Sequence, residues 1–247
     1  MTADPLLDRL RGVRAQVGAA AAAAGRSPDE VALLLATKTV AAERIALALT
    51  GGFTLIGENR VQELTDKYDA LCAVPHVTHF IGHLQANKIN QVIGRVDCLE
   101  SLDSIELARK LDARLSARAL DLEVLIQVNV SAEESKSGVA PDQALDLFAA
   151  VAALPGLVVR GFMTIGLNST DRGAVRAGYR TLAQLRESAV SSGVPGAELA
   201  TELSMGMSGD FADAIAEGAT IVRIGSAVFG RRPTRLPVVP ARWPAQR

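Results

Sequence analysis

The sequence predicts a single α/β domain folded as a (β/α)8 TIM-type barrel with an additional N-terminal helix. Three observations support this architecture. The chain has 247 residues, a length that such barrels commonly use for one domain. Eight short apolar runs alternate with helical stretches, and no linker or shift in composition divides them. An open doubly wound sheet is the competing architecture, but eight strand–helix units are the number that closes a barrel.

The strands are predicted at short runs of β-branched and aliphatic residues. Such runs are apolar on both faces, as parallel strands covered by helices require. The candidate strands are residues 30–38, 53–57, 77–82, 97–101, 122–130, 157–164, 199–204 and 220–225. The helices predicted between them are residues 41–50, 60–72, 86–94, 103–118, 141–153, 170–192 and 208–217.

The N-terminal helix is predicted over residues 3–24, an Ala-rich amphipathic stretch that ends at Gly25. A barrel ordinarily ends with a helix after its last strand. Here the last strand is followed by a Pro-rich segment, which is a poor helix, so we expect the N-terminal helix to fill part of the vacant position. We assign residues 1–232 to the barrel and 233–247 to a Pro-rich C-terminal tail.

The composition narrows the classes of function. No segment approaches the roughly 18 uninterrupted apolar residues of a membrane span, and the N-terminus lacks the apolar stretch of a signal peptide. We therefore expect a cytoplasmic protein with no membrane partner. The formal net charge of -1 shows no excess of basic residues of the kind that nucleic-acid binding requires. Two cysteines, Cys72 and Cys98, are too few for a disulfide framework or a four-thiolate metal site, and we interpret both as small buried residues.

Three histidines lie close together in the sequence. In an extended strand His76 and His79 point to opposite faces, while His79 and His83 share a face about 13 Å apart. They would need a sharp bend to share one zinc ion, so we expect no metal site. His83 follows the end of the strand, and whether it lines a pocket stays open.

The first predicted strand ends at a lysine. Strand periodicity places Leu34, Ala36 and Lys38 on the same face. If that face points into the barrel, Lys38 emerges at the C-terminal rim, where barrel enzymes hold their chemistry. Partial desolvation there disfavours the ammonium and makes the neutral amine available to form a Schiff base with an aldehyde. The alternative is a lysine that extends into solvent at a strand end.

Two segments near the C-terminus predict an anion site. Residues 203–210 change from strand to helix with Ser208 as the N-cap, and the N–H groups at the start of a helix attract anions. The last strand ends at Gly225 and Ser226, which allow close backbone approach and offer a hydroxyl donor. These are the loops after strands seven and eight, the usual phosphate site of this barrel type. The alternative is an ordinary capped helix and turn.

Seven motifs in chain order then resemble one known family. They are LLLATKTV around Lys38, IGENRVQE at 56–63, HFIGHLQANK at 79–88, VNVSAEESKSGV at 128–139, GFMTIG at 161–166, LSMGMSGDFADAI at 203–215 and IVRIGSAVFG at 221–230. Together they resemble the pyridoxal phosphate homeostasis proteins, which are similar to the N-terminal barrel domain of alanine racemase. Members of that family are implicated in controlling free pyridoxal 5'-phosphate (PLP), with no established catalytic turnover.

The resemblance implies a fold-type III PLP protein that holds its cofactor as a Schiff base. Matched motif by motif, the implied cofactor-binding residues are Lys38, Asn59, Met207, Ser208, Arg223, Gly225 and Ser226. Lys38 would carry the cofactor, Asn59 would lie near its ring, Arg223 would face the pyridine nitrogen, and the other four would hold the phosphate.

Arg223 is also aligned by strand periodicity with Ile221 and Gly225, so it should share the face that holds the ligand. A cation facing a pyridine nitrogen disfavours protonation of that nitrogen and weakens the ring as an electron sink. That property suits a racemase-like or weakly catalytic site better than an aminotransferase. The alternative for Arg223 is a salt bridge within the barrel.

Three functions are compared. A PLP-binding protein without turnover is favoured over an amino-acid racemase, which needs acid/base groups on both faces of the cofactor. In alanine racemase the second group is a tyrosine from another domain, for which we expect no room here, and Tyr68 and Tyr179 fall within predicted helices far from strand ends. A Schiff-base aldolase would need carboxylates or a second lysine beside its reactive lysine, at neighbouring positions that point into the barrel. The polar candidates at such positions, Gln127 and Asn129, are neutral amides. The candidate recipients of the cofactor are PLP-dependent apoenzymes, and we expect a monomer or a weak homodimer.

Overall fold

The structure, a computed structural model, describes residues 5–131, 133 and 136–230. The predicted tail at 233–247 therefore lies outside the described residues. Eight parallel strands form the centre of the domain. They are β1 Ala32–Ala36, β2 Leu55–Glu58, β3 Val77–Phe80, β4 Cys98–Leu102, β5 Leu122–Gln127, β6 Leu157–Met163, β7 Glu202–Met207 and β8 Ile221–Ile224.

Helices cover the outside of the strands. They are α1 Pro5–Ala23, α2 Ala42–Thr50, α3 Val61–Leu71, α4 Ile89–Val92, α5 Ile105–Ser116, α6 Ala144–Ala152, α7 Arg172–Val190, α8 Phe211–Ala216 and α9 Ser226–Phe229. No helix in the described part of the chain is long and apolar enough to cross a membrane.

The strands pair in sequence order and the sheet closes on itself. Closure occurs where β1 pairs in parallel with β8, which places Leu34 opposite Arg223. The predicted (β/α)8 barrel is therefore confirmed, and the open doubly wound alternative is excluded. Because all the strands are parallel, their C-terminal ends meet at one rim, which brings the loops after β1, β7 and β8 together.

Alternation along each strand divides the interior into two compartments. Outward residues such as Leu35, Val124 and Val222 pack under the helices in one large apolar core. Inside the barrel, the apolar cluster Cys98, Leu125 and Met163 is small, and polar side chains occupy much of the remaining space.

Helix α1 lies where a helix following β8 would complete the barrel. Its buried residues Leu6, Leu10, Val13 and Val17 recur at helical spacing on one face. That face packs against α8, α9 and α2, the helices on either side of the gap. This agrees with the expected position of the N-terminal helix, although the single turn of α9 after β8 is not predicted by the sequence.

Three local predictions are wrong. Strand β7 runs over Glu202–Met207, not 199–204, because Leu199 ends a 3-10 helix that starts at Ala197. The helix predicted over 86–94 is a 3-10 turn followed by the four residues of α4, since Ile93 adopts an extended ψ of 134°. Cys98 is buried as expected, but Cys72 at the end of α3 is exposed.

Candidate functional site

A cavity of about 650 Å3 opens at the C-terminal rim of the barrel. Its volume lies within the range of roughly 300–1,000 Å3 that is usual for small-molecule sites. The lining residues come from β1, β7 and β8 and from the segments that follow β1, β3, β7 and β8. They are Ala36, Lys38, Thr39, Val40, Ala41, Arg44, Ile81, Met207, Ser208, Arg223, Gly225, Ser226, Phe229 and Gly230. Six of the seven predicted site residues are thus brought together.

Lys38 reaches this cavity from a tight turn that follows β1. The turn is closed by the Val40 N–H, which donates to the Thr37 carbonyl at 3.0 Å. Thr37 is buried against β2, where its N–H donates to the Gly57 carbonyl at 3.0 Å. The expectation that Lys38 emerges at the C-terminal rim is therefore met, two residues beyond the last residue of the strand.

The segment between β7 and α8 differs from the prediction. Helix α8 begins at Phe211, and its N-cap is Asp210 and not Ser208. The Asp210 N–H donates to the Met207 carbonyl at 3.1 Å, and Asp210 Oδ1 accepts the Met207 N–H at 2.6 Å. A carboxylate is a stronger acceptor than a hydroxyl, so it closes this turn and moves the helix start by three residues. Among the described residues, the N–H groups of Ser208 and Gly209 have no acceptor.

Gly206 fixes the path of the chain into this turn, and we expect Gly206→Ala to lower the free energy of unfolding by about 2 kcal/mol. Gly206 has a φ of +89°, and a Cβ there would lie 2.5 Å from Ala214 Cβ and 3.0 Å from Phe211 Cα. Urea unfolding measures the effect. Gly209→Ala is the matched control, because a Cβ at Gly209 meets nothing within 4 Å. Equal stability of the two variants would contradict this assignment.

Arg223 points into the barrel, as strand periodicity predicts, and is 6% exposed. Its guanidinium donates to Ser204 Oγ and to the Thr164 carbonyl, both at 2.7 Å. Burial lowers the pKa of Arg223, and the charge of nearby Glu100 opposes that shift. Because a guanidinium is not deprotonated in proteins, Arg223 places a fixed positive charge at the inner end of the cavity.

Glu100 is a charged residue inside the barrel that sequence reasoning missed. It is fully buried, and it accepts hydrogen bonds from His79 Nδ1 at 2.7 Å and from Ser204 Oγ at 2.6 Å. Burial raises the pKa of Glu100, but His79, Arg223 and Ser204 lower it by more, so the net pKa lies below its ordinary value. The premise that the inward polar residues are neutral amides is therefore wrong. Glu100 does not line the cavity with Lys38.

Asn59 is the predicted site residue that does not line the cavity. It is half-buried one residue after β2, with its backbone packed against Gly82. Strand β2 lies between β1 and β3, and the segments that follow β1 and β3 contribute Lys38 and Ile81 to the lining. Asn59 is thus at the correct rim, and its contact with a ligand stays a prediction.

Tyr179 lies in a helix, as predicted, but its hydroxyl is not far from the strand ends. The hydroxyl donates to Asp210 Oδ2 at 2.8 Å, in the loop after β7. Burial, reinforced by the charge of Asp210, raises the pKa of Tyr179 well above its ordinary value. The hydroxyl therefore stays protonated and supports the turn that contains Ser208. The prediction that both tyrosines are remote from the rim is wrong for Tyr179.

Comparison with known proteins identifies the family. The family model for the alanine racemase N-terminal domain matches residues 13–233. The pyridoxal phosphate homeostasis protein of Aquifex aeolicus is 41% identical over 232 residues, which cover 91% of this chain and 97% of that protein. This chain belongs to the pyridoxal phosphate homeostasis protein family.

Two solved structures are similar to this chain in fold. PipY of Synechococcus elongatus, solved with PLP bound, is 29% identical, has a TM-score of 0.77, and is matched over 91% of this chain and 100% of that one. Alanine racemase of Clostridium difficile is 12% identical with a TM-score of 0.69, over 83% of this chain and 56% of that one. The second likeness shows the shared barrel fold alone.

Proposed function

We propose that this protein binds PLP covalently through Lys38 and serves in PLP homeostasis without catalytic turnover. One observation carries the proposal. Lys38 opens into the same cavity as the loops after β7 and β8, and the lining from the described chain contains three cations, Lys38, Arg44 and Arg223, and no carboxylate. A phosphorylated aldehyde carries a charge of about -1.5 to -2 on its phosphate, so its charge complements this lining.

The donor groups at and beside the cavity fit the phosphate of PLP. The N–H groups of Ser208 and Gly209 lack an acceptor within the described chain and lie at the position usual for phosphate in this barrel type. Gly225 lets a ligand approach the backbone, since it carries no Cβ, and Ser226 adds a hydroxyl donor. These donors suit an oxyanion and not a metal ion.

Each proposed residue then has a physical role. When bound, the cofactor supplies an aldehyde carbon that can condense with the Lys38 amine with loss of water. Met207, Ser208, Gly225 and Ser226 would hold the phosphate. The Arg223 guanidinium, a donor without an acceptor atom, would face the pyridine nitrogen and disfavour its protonation. Asn59 would approach the ring from β2.

The absence of turnover is supported by the acid/base groups available at the cavity. Racemisation needs a proton donor or acceptor on each face of the substrate carbon. The titratable side chains lining the described cavity are Lys38, Arg44 and Arg223, and the two arginines stay protonated. The Tyr179 hydroxyl donates to Asp210 and is absent from the lining. Relatives named for PLP homeostasis agree with this proposal.

Titration of the purified protein with PLP tests the binding function. We expect a visible absorbance band that saturates at one PLP per chain. The racemase alternative is tested on the same loaded protein, by chiral product analysis with alanine and other amino acids. Turnover well above the rate of free PLP would favour the racemase, and a protein that stays colourless would contradict both functions.

The location of the protein, its oligomeric state and the recipients of its cofactor are also proposed. We propose that the protein acts in the cytoplasm as a monomer or a weak homodimer, and that PLP-dependent apoenzymes receive the cofactor. Incubation of the loaded protein with an inactive apoenzyme tests the transfer, since recovery of activity faster than release of PLP into buffer indicates direct handover. Recovery that tracks the release rate would contradict it.

A further inference from the structure

The turn that carries Lys38 is held by charged side chains of β2 and α3 that do not line the cavity. Glu63 Oε2 accepts the Thr39 N–H at 2.6 Å. Lys67 Nζ donates to the Thr37 carbonyl at 3.0 Å, and Thr37 Oγ1 donates to Glu58 Oε1 at 2.7 Å. The residues on both sides of Lys38 are therefore fixed by Glu58, Glu63 and Lys67, which we call the support cluster.

The support cluster is an ion-paired group between the sheet and α3. Lys67 Nζ lies 2.9 Å from Glu58 Oε1 and 3.1 Å from Glu63 Oε2. Glu58 is 1% exposed, and within the described chain its second oxygen, Oε2, is buried without a hydrogen-bond partner. Burial accordingly raises the pKa of Glu58, against the opposing effects of Thr37 and Lys67.

The backbone of the turn needs such support because Thr39 is strained. Its φ is +64°, in the left-handed region that β-branched residues seldom adopt. A strained residue persists where its surroundings hold it, and the Thr39 N–H is held by Glu63. If that hydrogen bond is lost, the turn can relax to a negative φ and carry Lys38 away from its position.

Packing alone does not account for the support cluster. A buried ion pair with an unsatisfied oxygen contributes little net stability compared with apolar residues of the same volume. Apolar residues would fill the space between β2 and α3. They could neither accept a hydrogen bond from the Thr39 N–H nor donate one to the Thr37 carbonyl. What the charged groups add is a fixed position for the turn.

We propose that Glu63 and Lys67 are positioning residues that act through the backbone of residues 37–40 to hold the Lys38 amine at the reactive position in the cavity. They would thereby set the rate at which PLP is attached. The inference rests on the proposed function, since it concerns the same amine. Neither residue lines the cavity, so neither is expected to touch the cofactor.

The test measures the rate of PLP attachment by stopped-flow absorbance, with thermal unfolding recorded for each variant. We expect Glu63→Ala to slow attachment by about ten- to a hundredfold, the effect of a displacement of roughly 1 Å at a reacting group. Glu63→Gln keeps an acceptor oxygen and should stay near the wild-type rate. The matched control is Asp112→Ala, because Asp112 on α5 likewise accepts a loop N–H, that of Gly156 at 2.8 Å, away from the cavity.

A rescue separates positioning from a general loss of stability. Glycine adopts a positive φ without strain, so Thr39→Gly in the Glu63→Ala background should recover much of the lost rate. Should Glu63→Ala not fold, Glu63→Asp keeps the charge, draws the carboxylate back by one carbon, and is also expected to slow attachment.

The outcomes distinguish the two proposals. If wild-type protein never attaches PLP, the proposed function falls, and this inference with it. If wild-type protein attaches PLP, and the Glu63→Ala variant (or Glu63→Asp in its place) does so at the wild-type rate, the positioning role is overturned while the proposed function stands. An equal slowing in Asp112→Ala, or no recovery in the double variant, would likewise overturn it.

Discussion

Replacement of Lys38 by alanine is expected to abolish covalent attachment of PLP completely. In the proposed function the amine of Lys38 is the nucleophile, and the other cations of the described cavity lining are the guanidiniums of Arg44 and Arg223. A guanidinium stays protonated and offers no lone pair for condensation with an aldehyde. The visible absorbance band of the loaded protein should therefore be missing in Lys38→Ala at every concentration of PLP.

Two further variants separate covalent chemistry from electrostatic attraction. Lys38→Arg keeps the positive charge, so it should bind PLP reversibly without the band. Lys110→Ala removes an exposed lysine of α5 and should leave the band unchanged. A band of wild-type intensity in Lys38→Ala would show that PLP is attached elsewhere.

The second large effect is expected at Glu100. Glu100→Gln should lower the free energy of unfolding by about 3 kcal/mol, because it removes a fully buried carboxylate whose charge offsets that of nearby Arg223, to which Ser204 links it. The carboxylate also accepts from His79 and Ser204, and an amide reproduces those bonds poorly. Urea unfolding at neutral pH measures the difference. The matched control is Glu123→Gln, which removes an exposed partner of Arg160 and should cost at most about 0.5 kcal/mol.

The pH dependence of this difference has a definite sign. The pKa of Glu100 in the folded protein lies below the ordinary value of 4.5, so its charged form is favoured by folding. Its contribution is therefore complete above pH 4.5 and is lost as the pH falls through the folded pKa. The stability difference between wild type and Glu100→Gln should shrink on acidification below pH 4.5. A difference that grows there would contradict the assigned direction.

The barrel could be predicted because its signals are local. Eight apolar runs with helical stretches between them indicate parallel strands covered by helices, and the number of runs together with the chain length favours closure. Strand periodicity also predicted Lys38 at the C-terminal rim and Arg223 on the ligand-facing side of its strand, and both line the cavity. Such inferences need only the sequence of one strand at a time.

Other features depend on contacts between distant segments. Strand β4 has a register irregularity between Leu99 and Leu102, so simple alternation does not tell which way Glu100 points. The start of α8 is set by Asp210 together with Tyr179, 31 residues away in sequence. Glu63 and Lys67 have the i,i+4 spacing of an ordinary surface pair, and their contact with the Lys38 turn follows only from the packing of α3 on the sheet.

Peptide mass spectrometry after borohydride reduction identifies the lysine to which PLP is attached. Reduction converts the linkage between an amine and PLP into a stable bond, so the modified lysine can be located after digestion. We expect one reduced phosphopyridoxyl group per chain, on the peptide that contains Lys38. A modification on any other lysine as the main product, or an unmodified chain after saturation with PLP, would contradict it.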